Sequence, residues 1–73
     1  MSVIKYKFKN SPYTEYRNEQ GELHRIGGPA IIDKNIIKQY WINGILYDGA
    51  RSYWQELLNL KLITPEQAFE HLL

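Results

Sequence analysis

The chain lacks cysteine and has only two histidines, which excludes the usual means of stabilising a small domain. No disulfide can form, and no thiolate is present to complete a zinc site beside the imidazoles. A domain of 73 residues buries only about 60% of the surface of its unfolded chain, so its core is small. Six Tyr, two Trp and two Phe are more rings than such a core holds. We therefore expect a homo-oligomer, with neither a metal nor a cofactor.

Neither sign of charge dominates, and long apolar runs are missing. Nine Lys and Arg against eight Asp and Glu give a net charge of +1, which does not favour nucleic acid or an acidic membrane as a partner. No segment approaches the roughly 20 apolar residues of a membrane helix. Residues 1–9 alternate lysine with apolar residues, whereas a signal peptide needs a continuous apolar stretch. We expect a cytoplasmic protein that binds no membrane.

Residues 1–47 have the pattern of a β-hairpin region. Apolar residues alternate with lysine over 3–9, which is typical of a half-buried strand with Ile4, Tyr6 and Phe8 on its inner face. Asn43-Gly44 between apolar pairs is the strongest turn signal, because both residues tolerate the positive φ of a type I′ turn. The other predicted strands are 13–17, 30–32 and 36–42, and the other predicted turns are 18–21 and 34–35.

Residues 48–73 have the period of a helical hairpin. Asp48 is the expected N-cap of its first helix, whose apolar stripe includes Tyr53, Trp54 and Leu57. The sequence predicts one α+β domain over 1–73, in which a small antiparallel sheet of hairpins precedes two short C-terminal helices. These helices are expected to pack on the sheet or on a partner subunit.

The second helix has a clear start signal. Thr64 is the predicted cap, Pro65 occupies the first helical position, and Gln67 completes a capping box. The residues that this helix is expected to bury are Ala68, Phe69, Leu72 and Leu73.

Catalysis finds little support in the residue pattern. No Ser or Thr is placed with a histidine and an acid as nucleophilic catalysis requires, and no carboxylate pair is evident. Lysines and aromatics interleave over 5–9, as in some binders of single-stranded nucleic acid. On a strand, however, the two sets face opposite sides and cannot contact one ligand together. We assign no catalytic residue and expect no enzyme activity.

Two strings make a longer motif: Gly21-x-Leu23-His24-Arg25-x-x-Gly28-Pro29-Ala30, followed by Tyr40-Trp41-x-Asn43-Gly44-x-Leu46. The motif resembles the MORN-like β-hairpin repeats of tailed-phage and large-virus proteins, and more distantly the YwqK-type antitoxin group. The chain departs from the repeat in having a single full unit, and Tyr47-Asp48 stands where a second His-Arg would be. The resemblance implies a viral or phage protein with an interaction role. It also implies a narrow sheet that another subunit would complete.

Five residues are the predicted binding residues: His24, Arg25, Tyr40, Trp41 and Tyr47. Arg25 offers a planar fork to a phosphate or carboxylate. The alternative is structural, with His24 bonded to a turn and Arg25 lying over an aromatic ring such as Trp41. Strand geometry sends one ring of Tyr40-Trp41 inward and the other outward, where it would suit an interface.

Three functions agree with these features. The first is a small, non-enzymatic phage-type protein that binds and inhibits a host protein, for example a defence component. The second is an oligomer that sequesters a nucleotide or small anion with Arg25 and His24. The third is a structural or virion-associated module. The direction of Arg25 separates the first two, because a ligand binder would point it into a pocket.

Overall fold

The computed structural model describes residues 3–72, which form a five-stranded antiparallel sheet followed by two helices. The predicted α+β architecture is confirmed. Each strand pairs with its neighbours in sequence, so the sheet is a meander. The elements are β1 (Ile4–Lys7), β2 (Tyr13–Arg17), β3 (Ile31–Asp33), β4 (Ile37–Ile42), β5 (Ile45–Tyr47), α1 (Ala50–Asn59) and α2 (Pro65–Leu72).

The two tight hairpins are closed by residues with positive φ. Asn43 and Gly44 have φ values of 46° and 79°, and they join β4 to β5 with Ile42 opposite Ile45, which confirms the predicted turn. The β3–β4 turn likewise has positive φ at Lys34 and Asn35. Asparagine tolerates this region better than most residues because its short side chain can bond locally.

Segment 22–25 is inserted between β2 and the β4–β5 hairpin. Leu23 bridges to Arg17 on one side, and its carbonyl accepts a 2.8 Å hydrogen bond from the Gly44 amide on the other. The Arg25 amide donates to the Trp41 carbonyl at 3.2 Å. This segment therefore extends the sheet at the end where β3 is absent, and the glycines that follow return the chain to β3.

Helix α1 begins one residue later than the sequence pattern predicts. Its N-cap is Gly49, at φ 91° and without a side-chain cap bond, so the prediction of Asp48 as the cap is wrong. The chain must turn sharply between β5 and α1, and a positive φ at residue 49 suits glycine, which has no Cβ to clash. Helix α2 begins as predicted. Thr64 and Gln67 form a reciprocal capping box, with bonds of 2.8 and 3.3 Å.

The core lies between the helices and one face of the β4–β5 hairpin. Its buried members are Ile42, Tyr53, Trp54, Leu57, Ile63 and Ala68. Phe69 is 62% exposed, so its predicted burial is wrong. Ala68 is buried as predicted, and Phe69 lies about 100° further around the helix axis, away from the core. Leu72 is half-buried, and the prediction for Leu73 lies outside the described residues. Within residues 3–72, neither helix is long and apolar enough to cross a membrane.

Candidate functional site

His24 is completely buried and serves as an internal hydrogen-bond acceptor. Its Nδ1 accepts from the Asn43 amide at 2.9 Å, so the neutral ring carries its proton on Nε2. Nε2 has no hydrogen-bond partner among residues 3–72. Burial lowers the pKa of His24, an effect that the charge of Glu22 partly offsets. His24 therefore holds the β4–β5 turn and is not accessible to a ligand at the surface.

Asn18 is the second buried residue that holds this turn. Its side-chain oxygen accepts from the Gln20 and Glu22 amides, both at 3.0 Å. Its amide nitrogen donates to Glu22 Oε1 at 2.9 Å and to Asn43 Oδ1 at 3.2 Å. The β4–β5 turn is thus clamped by His24, Asn18 and the Leu23 carbonyl, and we call this set of contacts the turn clamp.

Arg25 packs against the protein instead of projecting into solvent. Its guanidinium lies 4.0 Å from the centre of the Tyr16 ring, and Nη1 donates to the Pro29 carbonyl at 3.1 Å. Gly28 lies directly beneath it, and a Cβ there would lie 2.9 Å from the Arg25 Cζ, so a larger residue would displace the guanidinium. The structure places Arg25 over an aromatic ring, as one of the two alternatives expects, but that ring is Tyr16 and not Trp41.

The loop that carries Gly27 and Gly28 is attached to α1 by one phenol. The Tyr53 hydroxyl donates a short hydrogen bond to the Arg25 carbonyl and accepts from the Gly27 and Gly28 amides at 3.1 and 3.3 Å. Burial raises the pKa of the Tyr53 phenol, against the opposing effect of these amides. The motif residues from Arg25 to Gly28 therefore bond to α1 through Tyr53 and pack on the sheet through Tyr16.

Tyr40 and Tyr47 lie opposite each other on β4 and β5, on the side of the sheet that faces the helices. The Tyr40 ring centre is 4.9 Å from that of Tyr53, and the Tyr47 hydroxyl donates to Glu56 Oε2 at 3.4 Å. Both also line a shallow cleft of about 390 Å³ together with Lys38, Leu46 and Asp48. Of the five predicted binding residues, they are the pair that the structure brings together at the surface.

Trp41 points to the opposite side of the sheet from Tyr40, as the alternation predicts. Cross-strand register carries this side through all five strands, and we call it the open face because α1 packs on the other side, the covered face. The open face consists of Ile4, Tyr6, Tyr13, Glu15, Arg17, Ile31, Asp33, Ile37, Gln39, Trp41 and Leu46.

Large apolar side chains of the open face are substantially exposed. The exposed fractions of Ile4, Ile37 and Leu46 are 43, 52 and 53%. The Phe8 ring, which follows β1, lies 5.4 Å from the ring of Tyr13 and is itself 46% exposed. The expectation that β1 is half-buried is wrong, since all four of its residues are exposed. Nothing in the described part of the chain covers the side on which the expected inner residues lie.

The polar centre of the open face is a hydrogen-bonded carboxylate. Glu15 is nearly buried and accepts from Arg17 Nε at 2.8 Å and from the Tyr13 hydroxyl at 2.9 Å. The bond from Arg17 lowers the pKa of Glu15, although burial opposes this effect. Burial and the Glu15 carboxylate together raise the pKa of Tyr13. This arrangement gives the face a fixed ion pair surrounded by aromatic and aliphatic groups.

Sequence reasoning missed the extent of this face. The sequence does contain a signal for it. Successive side chains of a strand point to opposite faces, and adjacent apolar residues such as Tyr40 and Trp41 place apolar groups on both faces. Deciding which side remains uncovered requires the register between strands and the position of α1. Neither can be obtained from one strand alone.

No group of three or more metal-binding side chains occurs within residues 3–72. The chain matches no model of a protein family, no curated protein and no solved structure. The resemblance to MORN-like repeats therefore depends on the two sequence strings alone and stays a prediction.

Proposed function

We propose that this chain is a protein-binding module without catalytic activity, and that its open face is the docking surface. The proposal rests on a sheet whose second side presents the exposed Ile4, Ile37 and Leu46 and the half-buried Trp41, with no element of the described chain packed over them. Exposed apolar side chains gathered on one side of a small protein often mark an interaction site.

The composition of the open face fits a protein partner. Tyr and Trp are enriched among residues that dominate binding energy at protein interfaces, and Tyr6, Tyr13 and Trp41 lie on this side. The Glu15–Arg17 pair adds a polar centre whose geometry is fixed before binding. Such preorganisation reduces the entropy lost on association.

The resemblance to phage and large-virus repeats extends this proposal to a host protein. In that form the chain is a cytoplasmic inhibitor that covers a functional surface of its target, such as a defence component. A second copy of the chain could cover the same face, which is the homo-oligomer that the aromatic content predicts. The mass of the purified complex separates these two occupants.

Anion sequestration is less well supported by the geometry. His24 is buried, and the Arg25 guanidinium is engaged by Tyr16 and the Pro29 carbonyl. Neither group points into the cleft lined by Tyr40 and Tyr47. An anion-binding function would require Arg25 to leave these contacts, and Arg25→Ala would then abolish ligand binding.

Native mass spectrometry of the gently purified protein tests the proposal, with two adjacent isoleucines as a matched pair. Ile37 lies on the open face, whereas Ile36 is 80% exposed in the preceding turn. Ile37→Ser should release a bound protein or a second copy, and Ile36→Ser should retain it. The same comparison applies to Leu46→Ser and Ile45→Ser, because Ile45 is on the covered face.

A complex with a host protein that only the open-face variants lose would support the binding-module function. A homodimer lost in the same variants would assign the open face to self-association and overturn the host-protein proposal. A complex equally weakened by both members of each pair would place the interface elsewhere. An oligomer that carries a few hundred extra daltons would favour the small-ligand alternative.

A further inference from the structure

We propose that the free edge of β1 binds an extended segment of the partner as a sixth strand, and that this segment alternates acidic and apolar residues. The inference deepens the proposed function, since it names the chemistry of the partner at the edge of the open face. Three features of β1 support it: the direction of its free hydrogen-bonding groups, its pattern of charge and the side chains on its two faces.

The register fixes which backbone groups of β1 are available. The Tyr16 amide donates to the Ala30 carbonyl, and the Tyr16 carbonyl accepts from the His24 amide, so both point away from β1. Lys5 lies opposite Tyr16, so this is a non-hydrogen-bonded pair, and the Lys5 amide and carbonyl do not bond to β2. Because direction alternates along a strand, the amide and carbonyl groups of Lys5 and Lys7 point to the outer edge. β1 contacts no other element than β2 in the described chain.

The outer edge of β1 carries unpaired positive charge on one face. Lys5 and Lys7 lie on the covered-face side, beyond the helices, and the one ion pair among residues 3–72 joins Arg17 to Glu15. Lys5 Nζ lies 5.9 Å from the centre of the Tyr16 ring and remains exposed. An added strand would therefore place its own side chains on this face beside two ammonium groups.

This charge argues against a second copy as the added strand. Two β1 strands paired edge to edge in antiparallel register would bring Lys5 and Lys7 of each copy together, and like charges across a strand pair are destabilising. Lysine on an edge strand commonly prevents such self-pairing. The same lysines favour a strand whose residues on this face are Asp or Glu.

The other side of β1 specifies apolar residues. Ile4 and Tyr6 are 43 and 41% exposed on the open face, and Phe8 continues the same side beyond the strand. An added strand would place every second residue beside them and extend the open face by one strand. Main-chain bonds to Lys5 and Lys7 would supply affinity, while alternate acidic and apolar side chains would supply specificity.

The probe is a synthetic peptide of about eight residues in which glutamate alternates with valine, titrated into the isotope-labelled protein and followed by NMR. We expect binding with a Kd of about 1 mM or tighter, with the largest amide shifts at Lys5 and Lys7. The amides of Ile4 and Tyr6, which face β2, provide the internal comparison. Hydrogen exchange should slow at Lys5 and Lys7 on binding and change little at Ile4 and Tyr6.

A charge exchange isolates the role of the lysines. Lys5→Glu with Lys7→Glu should weaken binding of the glutamate peptide roughly tenfold and create binding of a lysine–valine peptide, because two favourable cross-strand pairs become unfavourable. The control is Lys34→Glu with Lys61→Glu, which changes the net charge equally at exposed sites outside β1.

A backbone variant isolates the role of the edge. Lys7→Pro removes an amide donor that points to the outer edge, and an edge strand tolerates such a substitution. It should weaken peptide binding about three- to tenfold relative to Lys7→Ala. Absence of binding up to several millimolar, or equal loss in the control pair, overturns the inference. If the peptide fails but Ile37→Ser still releases the natural complex, strand addition alone is wrong. If the peptide binds and Ile37→Ser has no effect, the open-face proposal is wrong.

Discussion

The two faces of the sheet are built from the same strands, but one forms the core and the other remains uncovered. The covered face holds the fold, because Tyr40 and Ile42 pack against Tyr53 and Leu57 of α1. The open face carries similar side chains on the alternate residues, and no element of residues 3–72 covers it. Apolar character alone therefore does not identify the core of this domain. Position relative to α1 decides which apolar residues stabilise it and which remain for a partner.

The largest effect on stability is expected from Leu57→Ala. Leu57 is completely buried in the covered-face core. Truncation of such a leucine costs about 2–5 kcal/mol through lost burial and the cavity left behind. A domain of this size has little more than that, so urea denaturation should show a largely unfolded variant at 25 °C or slightly above. A loss below about 1 kcal/mol would mean that the helices contribute little to the fold.

Tyr53→Phe is expected to have the next largest effect. The substitution keeps the ring in the core but leaves the Arg25 carbonyl and the Gly27 and Gly28 amides without their partner. Buried polar groups left unsatisfied cost about 1–3 kcal/mol. Tyr47→Phe is the matched control, because its hydroxyl makes one long bond to Glu56. Equal urea midpoints for the two variants would contradict the role assigned to Tyr53.

A pH dependence of stability is expected from His24. Its pKa is lowered by burial in the folded state, so as the pH falls the unfolded chain takes up the proton first. The free energy of unfolding should be greatest above the ordinary histidine pKa of about 6.5 and decrease as the pH falls from there to the folded-state pKa. Protonation of Nδ1 would also remove the acceptor for the Asn43 amide.

The measurement is urea denaturation between about pH 8 and pH 5. His24→Asn should flatten the dependence, since its side-chain oxygen can accept from the Asn43 amide without titrating. His71→Gln should retain it. Glu15 does not affect the measurement between about pH 8 and pH 5. Its pKa is lowered in the folded state, so its contribution to the free energy of unfolding is lost only below the usual pKa range of glutamate. A slope unchanged in His24→Asn would assign the pH dependence to another group.

The smallest effect is expected from Leu46→Ala, the same substitution as Leu57→Ala but on the open face. Leu46 is 53% exposed, and substitutions at such positions usually change stability by less than about 0.5 kcal/mol. The urea midpoint should remain near that of the unchanged protein while partner binding falls. A loss of stability comparable to that of Leu57→Ala would show that something covers the open face in the isolated protein.

Local signals in the sequence predicted most of the elements. The Asn43-Gly44 turn and the Thr64–Gln67 capping box depend on a few adjacent residues, and both are observed. The predictions for Asp48 and Phe69 are wrong for separate reasons. A glycine beside Asp48 suits the turn geometry better, and Phe69 lies about 100° around the helix from the buried Ala68.

The candidate site was harder to predict because it depends on contacts between distant segments. The motif around His24 and Arg25 is distinctive in sequence, but its distinctive residues form internal bonds to Asn43, Tyr16 and Tyr53. Trp41 was correctly separated from Tyr40 by alternation alone. That Ile4, Ile37 and Leu46 share its side follows only from the register across the sheet.

The turn clamp also has a consequence for the chemical ageing of the protein. Asparagine followed by glycine loses its side-chain amide when the glycine nitrogen attacks the side-chain carbonyl carbon. Here the Gly44 nitrogen is held by the Leu23 carbonyl at 2.8 Å, and Asn43 Oδ1 is held by Asn18 at 3.2 Å. The folded protein should therefore deamidate slowly at Asn43, and variants that unfold more often should deamidate faster by mass spectrometry. An isoaspartate there would lengthen the main chain within the turn and alter the hairpin geometry, so the time that the chain spends unfolded sets the rate of this covalent change.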